Sequence, residues 1–124
     1  MTALLIIIGA SVGAPSRFLV DQYLRKYIAY PYGILLVNVL GSFVIGLTVS
    51  QPRGSAVFVE AGTLDNMHAL VAVGFAGAFT TWSTFILDLY LAFENKHYKK
   101  ALTNLLLSIV LGLIAVSLGM HLAR

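Results

Sequence analysis

Charge is what this 124-residue chain has least of: only 10% of its residues are Asp, Glu, Lys or Arg, while 59% are hydrophobic. Soluble domains carry about 25% charged residues, so this composition cannot cover a globule with a water-facing surface. Together with a mean hydropathy of +0.89, it marks an integral membrane protein. Cysteine is absent, which excludes disulfides and thiolate metal sites. The formal net charge is only +3; such an excess suits anionic headgroups and gives no basis for nucleic-acid binding. Catalytic clusters are lacking too. His68, His97 and His121 all fall near the ends of apolar spans, without a Ser or Asp pair for a triad and too scattered for a metal site. The chain is not expected to be an enzyme.

What is present is apolar sequence in four blocks. The length fits one domain, residues 1–124, with about four crossings. Four short helices enclose little by themselves, and a polar pathway forms more easily between subunits, so an oligomer is expected. The first span covers residues 3–23. No Lys or Arg precedes its apolar run, which argues against a cleaved signal. Gly9, Ala10, Gly13 and Ala14 have the small-residue spacing of close helix contacts, and Pro15 is expected to kink the span. Arg17 is open to two readings: a guanidinium snorkelling to a headgroup, or a structural or anion-steering charge that costs about 2.5–3.5 kcal/mol at mid-membrane. After a connection over residues 21–30, with Arg25, Lys26 and interfacial tyrosines, Pro31 opens a second span to residue 50. Its one strongly polar member, Asn38, reads equally as interhelical glue or as pore lining. Residues 51–66 form the longest extramembrane loop, residues 67–93 the third span, residues 94–100 a basic turn, and residues 101–122 the fourth span. On that last span Asn104, Ser108 and Gly112 share one helix face, as glue or as one wall of a pore.

The third span holds the unusual stretch, GFAGAFTTWSTFILD from Gly74 to Asp88. Two glycines, four hydroxyl residues, three phenylalanines and a tryptophan occupy fifteen positions. In hydrocarbon every freed backbone group needs a partner, so irregular backbone survives only inside protein or beside a water-filled cavity. Gly74 and Gly77 weaken the helix before the run Thr80, Thr81, Ser83, Thr84. The span is therefore expected to be interrupted, as at mid-membrane ion or substrate sites. Hydroxyl and amide donors with aromatic edges suit an anion; Trp82 and Phe85, three residues apart, share a face if the helix has resumed there, although ordinary packing also explains such aromatics. Asp88 is the one acidic residue inside an apolar span, readable as a proton carrier, a structural acceptor or a residue near the interface.

Four spans put both termini on one side. That side, with the loop over residues 51–66, carries Arg53 and Arg124; the other carries Arg25, Lys26, Lys96, Lys99 and Lys100, with Arg17 nearby. The positive-inside rule turns the basic end to the cytoplasm.

GFAGAFTTWSTF resembles the Gly-rich, Thr-Thr-Phe-Ser-Thr-Phe signature of the small Fluc-type (CrcB) fluoride channels. PYGILLVNVLGSFVIG is similar to that family's second helix, and GASVGAPSRF to its first helix ending in Arg. The resemblance covers nearly the whole chain. It implies an all-α membrane protein of four transmembrane helices with a broken third, assembled as an antiparallel, dual-topology dimer with two fluoride pores in the plasma (cell inner) membrane. It implies a sodium ion at the dimer centre on the backbone carbonyls of Gly77 and Thr80. It implies pore roles for Asn38, Trp82, Phe85, Ser83, Thr84 and Ser108, and structural or electrostatic roles for Arg17 and Asp88. The implied activity is passive fluoride efflux. Three positions depart from the pattern: Trp82 replaces the usual Phe, Ile34 a frequent Thr, and Gly112 a frequent hydroxyl residue. The charge bias adds an alternative, one half of a hetero-dimeric pair with an inverted paralogue. A proton-coupled dual-topology exporter is the competing class; it calls for a carboxylate embedded in the first helix, and Asp21 sits near that helix's end. A non-transporting scaffold subunit is a third reading.

Overall fold

The computed structural model describes residues 1–28, 32–49 and 66–123. Among these residues four helical stretches are long and apolar enough to cross a bilayer. Helix α1 spans Thr2–Tyr27 and α2 spans Tyr32–Val49. The third crossing is built in pieces: α3, wound as a π-helix over His68–Ala76, a short α4 at Gly77–Phe79, and α5 at Ser83–Glu94. Helix α6 covers Tyr98–Leu122. The expected spans are all present. The first extends one turn further than expected, and α1 runs through Pro15 without a break in helical assignment. At 1.5 Å per residue its 26 residues measure about 39 Å, longer than a hydrocarbon core of about 30 Å. The last turn, with Arg25 and Lys26, therefore reaches into the headgroup region, where the exposed Tyr23 and Tyr27 rings pack with centroids 5.0 Å apart. The expected start of α2 at Pro31, most of the loop over residues 51–66, Arg53 and Arg124 lie outside the described residues.

Glycine decides which helices touch. Helix α1 packs chiefly on α3, and α2 chiefly on α6. A Cβ at Gly9 or Gly13 would land on the backbone of Leu70 or Phe75, and one at Gly74 would meet the backbone of Ile6 and Gly9. At the second contact Gly46 faces the backbone of Val116 and Gly119, and Gly119 faces Phe43 and Leu47. In a membrane, where lipid tails are as apolar as leucine side chains, this backbone-to-backbone approach is a principal source of helix association. Buried Ala69, Ala72 and Ala76 keep α3 slender on its inner side. The π winding, which is rare and concentrates at functional sites, is visible at its exit, where the Gly77 N–H reaches back to the carbonyls of Ala72 and Gly74.

The basic turn is shorter than expected because it is closed by hydrogen bonds. The His97 N–H donates to Ala92 O at 2.8 Å and the Lys96 N–H to Phe93 O at 3.0 Å. These are the paired bonds of a Schellman cap, with Lys96 at φ 58° in the left-handed position where glycine is usual. The chain thus turns in three residues, and α6 starts at Tyr98. At the same end of the bundle Asp21 binds Arg25 at 2.9 Å and lies against Gly33, where a Cβ would come within 2.8 Å of its carboxylate. An acidic group there complements the N-terminal end of α2.

Substitution separates contact glycines from incidental ones. Gly46→Val drives two methyl groups into the α6 backbone and is expected to cost about 1–3 kcal/mol, read as a lowered melting temperature in detergent. Gly112→Ala meets nothing closer than Ser42 Oγ at 3.7 Å and is expected to leave that temperature unchanged.

Candidate functional site

The third crossing is broken at Thr80, Thr81 and Trp82, between α4 and α5. Thr80 leaves the helix with ψ 156°. The interruption therefore falls within the hydroxyl run, three residues beyond Gly77. Its height is set by α2: Gly41 has no side chain, and the Thr80 methyl fills the notch where a Cβ would stand. Gly41 and neighbouring Asn38 occupy the middle of α2, so the break sits at mid-height in the bundle.

Asn38 holds the break open. Its Oδ1 accepts from the Thr81 N–H at 2.9 Å, and its Nδ2 donates to the Thr81 carbonyl at 3.1 Å. The side-chain amide pairs with one residue's main chain as a neighbouring strand would. In a continuous helix the Thr81 N–H would bond the Gly77 carbonyl; here that carbonyl is released. The next turn is released in the same way. The Thr84 N–H, due to the Thr80 carbonyl in a helix, instead donates to Thr81 Oγ1 at 3.3 Å, so the Thr81 hydroxyl caps the resumed helix. Thr81 Oγ1 also lies 3.3 Å from Ser83 Oγ and donates to Thr84 Oγ1 at 3.3 Å. The Thr80 carbonyl receives Arg17 Nη1 at 3.4 Å, and Thr80 Oγ1 bonds back to Ala76 O at 2.9 Å.

Of the expected pore residues, Asn38, Trp82, Ser83, Thr84 and Phe85 are gathered at the break. Trp82 and Phe85 touch, with ring centroids 5.7 Å apart and planes tilted by 52°. Their environments differ: Phe85 is 4% exposed and Trp82 73% exposed. Ser83 and Gly77 are exposed, and Asn38, Thr80, Thr84 and Arg17 are half-buried. Gly77 and Thr80 are among the residues whose carbonyls the break releases; those of Ala78 and Phe79 likewise have no helical N–H partner among the described residues. Asp88 shares the inner stripe of α5 with Phe85 and Ala92; at 3% exposure it fits a structural acceptor better than a solvated residue. Ser108 stands apart on α6, and among the described residues no hydrogen bond joins it to the break. Its Oγ and the Oδ1 of buried Asn104 are enclosed polar atoms without a hydrogen-bond partner. Further along, Ser42 and Gly112 border an open, mainly apolar groove of about 350 Å³ between α2 and α6.

Thr81 is the functional residue that sequence reading missed. It appeared there as one hydroxyl among four, yet it is 9% exposed and joins the α2 amide to the start of α5. A local signal existed, since a hydroxyl residue just ahead of an apolar helical run is a favoured helix cap. The partner Asn38, 43 residues earlier, has no local signal.

Asn38→Leu leaves two buried main-chain groups unpartnered, at about 1–3 kcal/mol each. The expected outcome is a lower melting temperature and faster amide exchange at Thr81, followed by hydrogen–deuterium exchange. Ser42→Ala removes only a bond back to the Asn38 carbonyl within α2 and is expected to change neither.

The chain was then compared with known proteins. The family model described as CrcB-like protein, Camphor Resistance (CrcB), matches residues 4–120. A fluoride-specific ion channel FluC from Parabacteroides distasonis is 42% identical over 122 residues, covering 97% of this chain and 91% of the relative. The FluC of Campylobacter lari is 36% identical over 120 residues, covering 95% and 93%. The FluC of Methylococcus capsulatus is 42% identical over 122 residues, covering 96% of this chain and 51% of the relative. These relatives are named as ion channels, not enzymes. A match across nearly the whole chain, on four membrane-spanning helices with a broken third crossing, shows that the protein belongs to the CrcB-like family of multi-pass membrane proteins.

Proposed function

We propose that the protein is a fluoride channel that releases the ion from the cytoplasm down its electrochemical gradient. The observation that carries this reading is the break itself, where hydroxyls, an amide and aromatic edges collect, with the Arg17 guanidinium as the cationic group beside them. Fluoride is small and strongly hydrated, so a passage must replace its water with donors held in place while binding weakly enough to let it leave. Asn38 spends one N–H on Thr81 and keeps its second amide hydrogen. The hydroxyl of Ser83 lies at the exposed edge of the break, and among the described residues the Ser108 hydroxyl has no hydrogen-bond partner. The Phe85 and Trp82 rings offer electropositive edges, and the indole adds an N–H donor. No step in this account needs proton or nucleotide coupling.

The reading includes a second, inverted subunit. The residues of the break are divided between a buried half around Phe85 and Thr81 and an open half around Trp82, Ser83 and Gly77, and a second copy would close the open half. The relatives' names say nothing of assembly, so the dimer, and whether the second chain is identical or a paralogue, rests on this exposure and on the charge bias in the sequence. The released carbonyls of Gly77 and Thr80 fit a small monovalent cation, since hard cations take oxygen ligands. A sodium ion bound there would supply a fixed positive charge between subunits. The chain's own residues hold those carbonyls outward: Asn38 by taking the Thr81 N–H, and the Thr81 hydroxyl by taking that of Thr84.

Purified protein in liposomes loaded with potassium fluoride provides the test. With valinomycin present, fluoride release is expected at an electrode and is expected not to require a proton gradient. Phe85→Ala is expected to slow it at least tenfold, on the order of what losing one well-placed contact costs. Unchanged flux in Phe85→Ala would favour the scaffold reading, and release that depends on a proton gradient and disappears in Asp88→Asn would favour the exporter.

A further inference from the structure

Among the described residues Arg17 is the cation held against the break, and its contact is with a carbonyl rather than an acid. Nη1 donates to the Thr80 carbonyl at 3.4 Å, long for a charged hydrogen bond, which normally lies near 2.7–2.9 Å. That carbonyl is available because the Thr84 N–H is taken by Thr81 Oγ1. Among the described residues the ion pair present is Asp21–Arg25; Arg17 takes no part in it. An intramembrane arginine ordinarily pairs with an ionisable partner or with backbone carbonyls, or faces a water-filled cavity. Here a half-buried guanidinium is placed at the carbonyl that also fits a small cation.

We infer that Arg17 is a tethered competitor for the cation position at the break: its guanidinium and a free monovalent cation are alternative occupants of the Thr80 carbonyl. The inference rests on the cation reading above. With Arg17 seated, the carbonyl is satisfied within the protomer and a charge is held beside the break. With a cation bound, the guanidinium swings away, and the positive charge it carries becomes available elsewhere along the inner face. Two positive charges at one carbonyl repel, so occupancy by one excludes the other. The long Arg17–Thr80 distance fits an occupant that is easily displaced.

The test titrates sodium chloride against N-methylglucamine chloride at constant ionic strength, with the melting temperature of the detergent-purified protein as readout. Wild type is expected to be stabilised by sodium with a measurable midpoint. Arg17→Gln removes the competitor and is expected to lower that midpoint by roughly five- to tenfold. An unchanged or raised midpoint overturns the inference while leaving the cation site intact. Wild-type melting indifferent to sodium overturns both. Arg17→Lys covers the case in which the Gln variant does not fold. A primary ammonium lacks the planar fork of arginine, so a smaller shift in the same direction is expected, and an unmoved midpoint again counts against competition.

Discussion

Everything at the centre of this protein depends on how main-chain hydrogen bonds are replaced where the third crossing stops being a helix. In water a broken helix is satisfied by solvent; in hydrocarbon each orphaned N–H or C=O costs several kcal/mol unless protein supplies a partner. The partners here can be named. The Thr80 N–H stays with Ala76 O at 2.9 Å. Both main-chain groups of Thr81 go to the Asn38 amide, the Thr84 N–H goes to the Thr81 hydroxyl, and the Thr80 carbonyl meets Arg17. Side chains from α1, α2 and the third crossing itself thus take over work that a continuous helix does internally.

That replacement requires the neighbouring helices to stand very close, which makes the small residues part of the same argument. Asn38 reaches Thr81 because Gly41, one turn along α2, lets Thr80 press against the helix backbone. Gly9 and Gly13 do the same for α1 and α3 on the approach to the break. A larger residue at any of these positions would push the helices apart and lengthen hydrogen bonds whose donor–acceptor distances normally lie between about 2.7 and 3.2 Å. Packing and polar satisfaction are therefore coupled, and the glycine contacts bear on the site as much as on stability.

The sequence made the crossings legible because hydrocarbon imposes a length and a polarity on each span, and both are properties of contiguous residues. The interruption was legible for a related reason: hydroxyl residues behind two glycines contradict a lipid-facing helix. What remained hidden depends on contacts between distant segments. Nothing around Gly74 announces that α3, packed against the α1 backbone, winds as a π-helix. Asn38 read equally as glue or as pore lining, and its geometry explains the ambiguity: one amide N–H and the amide oxygen go to Thr81, and the second N–H is unassigned. Lys96 concealed the short turn, since a lysine in the left-handed conformation carries none of the signal that glycine would.

The contrast between Phe85 and Trp82 carries the argument about assembly furthest. Two rings in contact ordinarily share an environment, yet one is enclosed by its own protomer and the other is almost bare. If the exposed indole faced only lipid, its N–H would lie in a medium without acceptors, a cost that membrane proteins usually avoid by keeping tryptophan at the interface. Trp82 instead stands next to a break set at the middle of α2, far from either interface. Its surroundings are better met by a second protein surface or by a polar passage. Both alternatives place the ring edge and its N–H beside the hydroxyls of the break, where a small anion could use them. Tryptophan at this position thus adds an N–H donor next to the hydroxyls of the break, which phenylalanine would lack.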